Sequence, residues 1–137
     1  MTGRPALTNA RLSTTGDSMS DFAKLKVWQA AHKFTLGAYR LTARFPREEQ
    51  FGLVSQIRRA AVSIAANIAE SAGRHHDLDQ ARLVQIAKGS AKELRSHMLI
   101  ARDLGFVTLE DQSAADEQLD QIERMLASLL RYYKKTR

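Results

Sequence analysis

From Ala60 to Ala69 the chain runs ten residues without a charge, inside the segment FGLVSQIRRAAVSIAANIAESAGR at Phe51–Arg74. Ala, Ile and Val dominate the run and no Gly or Pro interrupts it, which predicts a helix buried on more than one face. Ten residues fall short of the roughly 20 that cross a bilayer. A helix apolar nearly all round needs neighbours on several sides. It belongs at the centre of a helical bundle, or on a bundle face that another subunit covers. The segment constrains the architecture strongly and reveals no chemistry.

A chain of 137 residues makes one domain. Its hydrophobic content of 44% is enough for a real core. The absence of cysteine excludes disulfides, thiolate zinc sites and cysteine nucleophiles, and fits a cytoplasmic location. No run of 18 apolar residues occurs and the N-terminus lacks the apolar stretch of a signal peptide, so no membrane span is expected. The formal net charge is +6 and the sequence pI about 10.0, which favours an acidic partner such as nucleic acid. This charge is concentrated. Phe22–Arg47 holds Lys24, Lys26, Lys33, Arg40, Arg44 and Arg47 with no acidic residue, and so carries a sum equal to that of the whole chain.

Residues 1–20 are rich in Thr, Ser, Ala and Arg without lasting periodicity and read as a mobile tail, with Met1 or Met19 as the start; residues 21–137 make the folded part. Helix 1 is predicted from about Phe22, capped by Ser20 or Asp21, to Phe45, where Pro46 ends it. Val27, Ala31, Phe34, Ala38, Leu41 and Phe45 give it a heptad seam. Helix 2 is predicted to open at Arg47-Glu48-Glu49 and run to about Ala72, with Leu53, Ile57, Ala61, Ile64 and Ile68 inside and Gly73 as its cap. Helix 3 starts near Leu78 after Asp77 and buries Leu83, Ala87, Ser90, Leu94, Met98, Ala101 and Leu104 before Gly105 stops it. Helix 4 begins at Thr108, with Asp111 placed as in a capping box, and buries Ala115, Leu119, Ile122, Leu126, Leu129 and Tyr133. Four amphipathic helices with short turns make an all-α, up-down-up-down antiparallel four-helix bundle.

The segment FGLVSQIRRAAVSIAANIAES at Phe51–Ser71 resembles the four helix bundle proteins, also called the 23S rRNA intervening-sequence protein family. LKVWQAA at Leu25–Ala31, the turn Phe45-Pro46, IAKGSAKEL at Ile86–Leu94 and ARDLGF at Ala101–Phe106 continue the resemblance, which spans about Asp21–Tyr133. The chain departs from the family's frequent SIPSNIAEG at Ala65, which replaces the proline, and at Ser71, which replaces the glycine; a straighter helix 2 is expected. The resemblance implies a bundle that assembles into a ring, commonly a homopentamer. A related branch, the accessory variability proteins of diversity-generating retroelements, looks like a basic pentameric barrel that binds nucleic acid and a reverse transcriptase.

Lys26, Lys33, Arg40 and Arg47 recur every seven residues along one edge of the helix 1 seam, about 10 Å apart. Such a line can track a phosphate backbone, or can pair with Asp116, Glu117, Asp120 and Glu123 of another helix. Arg44, Arg58, Arg59 and Arg74 extend the nucleic-acid-binding candidates. Leu25, Trp28, His32, Leu36 and Tyr39 form a second apolar stripe away from the seam, which reads as a subunit interface anchored by Trp28. Asn67 and Ser63 are expected to hydrogen-bond across an interface, with Arg59–Ser63 and Asn67–Glu70 as polar contacts that set register.

Catalytic signatures are missing from the sequence. Di-iron bundles need a Glu-x-x-His on each of two helices, and Glu93/His97 is an i, i+4 pair. None of His32, His75, His76 and His97 follows an Arg by four to six residues as in helical HEPN-type RNases, and no phosphate loop or nucleophile elbow occurs. The expectation is a non-enzymatic oligomer, without metal or cofactor, that binds RNA through phosphate contacts, because few aromatics are free to stack on bases. The alternatives are a protein-interaction scaffold or accessory subunit docking an enzyme such as a reverse transcriptase, and a ribonuclease subunit.

Overall fold

The computed structural model describes residues 21–135, so the expected tail at residues 1–20 lies outside the described residues. Four long helices account for nearly all of the described chain: α1 (Lys26–Thr42), α2 (Leu53–Ala72), α3 (Asp77–Asp103) and α4 (Leu109–Lys135). Short turns at 73–76 and 104–108 join α2 to α3 and α3 to α4, so consecutive helices run antiparallel. α2 packs on both α1 and α3, α3 packs on α4, and α4 closes more thinly onto α1. This is the four-helix bundle that the periodicity predicts.

The core is a single cluster. Ile57, Ile64, Ile68, Val84, Leu94, Leu119, Ile122 and Leu126 are fully buried within it. Each comes from a predicted inner stripe except Val84, whose neighbour Leu83 is also buried. Elsewhere the facing slips by one position. Val54 is buried where Leu53 was expected, and Leu130 where Leu129 was; Leu53, Leu129 and Leu41 are half-buried, and Leu104 is exposed. An α-helix drifts relative to a strict heptad, so a seam extended over several turns moves off its first stripe at the ends.

Helix boundaries differ more at the first two helices than at the last two. Leu25 is extended (φ −71°, ψ 127°), which splits the predicted helix 1 into a tight turn at Phe22–Lys24 and α1. Asp21 makes no side-chain cap there, and Ser20 is outside the described residues. The Gln29 amide donates to the Ala23 carbonyl at 2.8 Å and ties the turn to α1. α1 ends at Thr42, three residues before the expected Phe45, because the chain tightens through Ala43–Phe45 to meet Pro46. Arg47–Glu49 forms its own short turn instead of opening α2. The backbone at Gly52 (φ −109°, ψ −107°) breaks the path, and the Glu49 carboxylate then accepts the Leu53 N–H at 3.2 Å at the start of α2. Asp77 is the first residue of α3 and not its cap, a position held by His76.

The other ends follow their sequence signals. Gly105 has φ +81°, the left-handed conformation that closes α3. The Phe106 N–H donates to the Ala101 carbonyl at 2.8 Å and the Gly105 N–H to Arg102 at 3.0 Å, the paired bonds of a Schellman motif. The Thr108 Oγ1 accepts the Asp111 N–H at 2.9 Å while Asp111 accepts the Thr108 N–H at 3.3 Å, a reciprocal cap for α4. α2 is one unbroken helix through Ala65, where the family often has proline. Ser71, in place of the family's glycine, is fully buried with its hydroxyl on the Ile68 carbonyl at 2.7 Å and near the Tyr133 hydroxyl at 3.4 Å.

Candidate nucleic-acid interface

α1 turns Val27, Ala31, Phe34 and Ala38 inward, so its g-type edge faces solvent. Lys26, Lys33 and Arg40 on that edge are exposed, as is Arg47 in the following turn. Among the described residues none of the four has an ion-pair partner. The pairing with α4 that the heptad allows does not form among the described residues, and α3 meets three of the four carboxylates concerned. Arg95 reaches Asp116 at 3.2 Å, Asp120 at 2.5 Å and Glu123 at 2.7 Å, and Lys92 adds a second contact to Glu123 at 3.3 Å. Burial of the Arg95 guanidinium works to lower its pKa, but hydrogen bonds to Glu123 and Asp120 outweigh it and the net shift is upward. Three of α4's carboxylates are thus met from α3, and Lys26, Lys33 and Arg40 have no ion-pair partner among the described residues.

Arg95 was not singled out from the sequence. Its signal is the 4,3 spacing of Asp116, Asp120 and Glu123, which aligns three carboxylates on one helical stripe. That stripe can meet either neighbouring helix, and only packing chooses. Replacing Arg95 by Met is expected to destabilise the fold by about 1–3 kcal/mol, since Asp116, Asp120 and Glu123 lose the guanidinium and Glu123, 17% exposed, keeps only its contact to the exposed Lys92. Urea denaturation compared with the exposed control Arg82→Met tests this, and equal midpoints would make the cluster decorative.

The remaining candidates divide sharply. Arg44 is exposed and lies 3.5 Å from Asp111. Arg58 is turned inward: its Nε donates to the Thr42 Oγ1 at 2.8 Å, its Nη2 donates to the Tyr39 carbonyl at 3.2 Å, and its guanidinium lies 4.5 Å from the Tyr39 ring centre. Arg59, next in sequence, is exposed and unpaired. Arg74 is held by Glu70, and the hydrogen bond to that carboxylate raises its pKa.

The second apolar stripe of α1 is split. Trp28 is half-buried against its own chain, edge-on to Phe22 at 5.1 Å and stacked on His32 at 4.7 Å, and Leu25 packs against the core. Leu36 and Tyr39 are each 42% exposed. Asn67 donates to the Ser63 carbonyl at 2.8 Å and to its hydroxyl at 3.1 Å, and the Ser63 hydroxyl meets Ser90 on α3 at 2.7 Å. The polar contacts around Ser63 therefore tie α2 to α3 within one chain, in place of the expected Arg59–Ser63 and Asn67–Glu70 contacts.

Beside this network lies an open hollow of about 890 Å³ between α1, α2 and α3, bordered by Tyr39, Phe51, Arg58, Arg59 and Ser63. Phe51 is 91% exposed at its rim. No group of three or more metal-ligating side chains occurs among the described residues; His97 lies 3.1 Å from Glu93, and its Nδ1 is buried without a partner. No helix among the described residues is long and apolar enough to cross a membrane.

The sequence profile of the 23S rRNA-intervening sequence proteins matches residues 23–128, from the first turn into the second half of α4. The chain belongs to that family. The 23S rRNA-intervening sequence protein fold recurs in a solved structure from Bacteroides thetaiotaomicron, a protein of unknown function from the S23 ribosomal protein family. It superposes with a TM-score of 0.69 at 21% identity, over 77% of this chain and 98% of its own. At that identity the likeness speaks to fold alone. No curated protein matches the chain.

Proposed function

We propose that this 23S rRNA-intervening sequence protein binds RNA through the basic outer edge of α1, without catalysing a reaction. The observation that carries the reading is the separation of charge within the bundle. Lys26, Lys33, Arg40 and Arg47 are exposed and unpaired among the described residues, while Asp116, Asp120 and Glu123 of α4 are met by Arg95 and Lys92 of α3. Lys26, Lys33 and Arg40 at about 10 Å intervals on α1, with Arg47 in the turn beyond, suit a flexible polyanion, whose phosphates lie close enough together to satisfy each step. RNA is favoured over other polyanions by the family's association with an rRNA intervening sequence. Phosphate contacts fix position and carry no sequence information, so affinity for unrelated RNAs should be similar.

Gel shifts of the full chain on structured and single-stranded RNA, at low and at moderate salt, test the reading. Binding that weakens steeply with salt supports it. Wild-type protein that binds no RNA at low salt defeats it.

Self-assembly is part of the proposal, since copies arranged around an axis would multiply the positive field. The support is the exposed Leu36 on the outer side of α1 together with Val62 on α2. The native mass is expected to be several times 15.3 kDa. Leu36→Asp is the suitable probe, because Trp28 already packs within its own chain and its loss would disturb the monomer. Leu36→Asp should reduce the mass toward one chain with the helical signal intact, and a wild-type monomer in light scattering would remove assembly from the proposal.

A further inference from the structure

We propose that the hollow between α1, α2 and α3 takes an unpaired nucleotide, its base laid on Phe51 and its phosphate on Arg59 and the fixed guanidinium of Arg58. The inference rests on the RNA-binding reading above and adds a strand preference to it. Its starting point is Phe51. A phenylalanine left 91% exposed between two helices gains nothing from the fold, and the hollow it borders sets the cations Arg58 and Arg59 beside apolar groups such as Val54 and Val62. Sequence reading treats Phe51 as the lead-in to an apolar helix and counts few aromatics free to stack. The break at Gly52 turns it outward instead, and the Glu49 carboxylate, which accepts the Leu53 N–H and sits against Gly52, holds that turn in place.

The phosphate side of the site is already shaped. Thr42, itself buried, accepts from Arg58 Nε, and the Tyr39 carbonyl accepts from Nη2, so the guanidinium is held over the Tyr39 ring before any ligand arrives. Its Nη1 makes no hydrogen bond within the described structure. Arg59 stands beside it with no partner among the described residues. Phe51 and both arginines border the same hollow. A single-stranded nucleotide offers both a flat base and a phosphate to such a site. In an A-form duplex the bases are stacked on one another and unavailable to an aromatic side chain.

The carboxylates nearby stand at the edges of this field: Glu93 borders the hollow 3.1 Å from His97, Glu49 accepts the Leu53 N–H at the start of α2, and Glu48 is exposed in the turn. A second copy of the chain is the rival occupant. Val62, on the face proposed for self-assembly, also borders the hollow, and the native mass of Phe51→Ala separates the two occupants.

The test uses the full chain with a fluorescein-labelled single-stranded RNA octamer of mixed sequence and the same sequence as a blunt duplex. Phe51→Ala is expected to weaken single-strand binding roughly 5- to 100-fold, the loss of one stacked base, and to leave duplex binding unchanged. Phe51→Trp should restore the single-strand affinity, and Arg59→Ala should lower it while reducing its salt dependence. Equal loss on both RNAs, or no loss on either, overturns the inference. So does a fall in native mass on Phe51→Ala, which would make the ring a subunit contact. Wild-type protein that binds neither RNA defeats the RNA-binding reading itself, whereas wild-type binding to both that Phe51→Ala leaves untouched defeats only the assignment of this hollow.

Discussion

Reversing Lys33 and Arg40 to glutamate is expected to cut RNA affinity by roughly 25- to 60-fold at about 0.1 M salt, alike for unrelated sequences. The magnitude follows from counterion release. Each phosphate contact contributes about 0.7 to the logarithmic salt slope for single strands and about 0.9 for duplexes, so across the decade of salt below 1 M one contact is worth about five- to eightfold. Two contacts multiply, and the new negative charges add repulsion to the loss. Both side chains are exposed and without ion-pair partners, so the fold should be indifferent to the change. The measurement is a gel-shift series over several salt concentrations, with circular dichroism on the variant. The slope should fall by about 1.4–1.8 in magnitude. Unchanged affinity in a folded variant would move the phosphate contacts off α1 and onto Arg59 and the basic end of α4.

Truncating Ile68 to Ala is expected to destabilise the bundle by about 2–5 kcal/mol, and Ile64→Ala by a similar amount. Both side chains are essentially without solvent exposure on the helix that has the most neighbours. Either deletion loses the transfer free energy of the removed carbons and leaves a cavity that surrounding helices cannot collapse into. A domain of this size has only about 5–15 kcal/mol of stability in total, so the denaturation midpoint should fall far enough to be unmistakable. Ile100→Ala at an exposed position of α3 is the control and should cost under about 0.5 kcal/mol. If Val62→Ala on the exposed side of α2 costs as much as Ile68→Ala, a second chain covers that face in solution and the burial of α2 is shared between copies.

Much of the fold is legible because it rests on local rules. Pro46 ends α1 and Gly105 closes α3 wherever they stand, since a missing N–H and a left-handed backbone act within one turn of chain. Thr108 and Asp111 cap α4 through bonds that span three residues. The starts of α1 and α2 were harder to read. Leu25 and Gly52 adopt their backbone angles within turns that also depend on Glu49 and Gln29. The periodicity of a strong helix runs straight through such a break.

The candidate site was less legible than the bundle. Its cations could be named from the sequence, but their fates could not. Arg58 and Arg59 are adjacent and identical, yet one is locked onto Thr42 and Tyr39 and the other stands free, because a step of one residue turns a helix by about 100°. Trp28, expected to anchor a partner, also packs on Phe22 and His32 of its own chain, contacts the heptad does not show.

What the sequence determined by itself was the number of helices, most of the core stripe and the concentration of charge on the first helix, since each is set by spacing along one strand of chain. What only the tertiary structure decided was which charges meet. Arg95 captures the carboxylates of α4 from α3, the helix 1 cations are left open to solvent, and Phe51 is turned out over a polar hollow. A heptad edge faces two neighbours at once, and the choice between them is made by packing over long sequence separations.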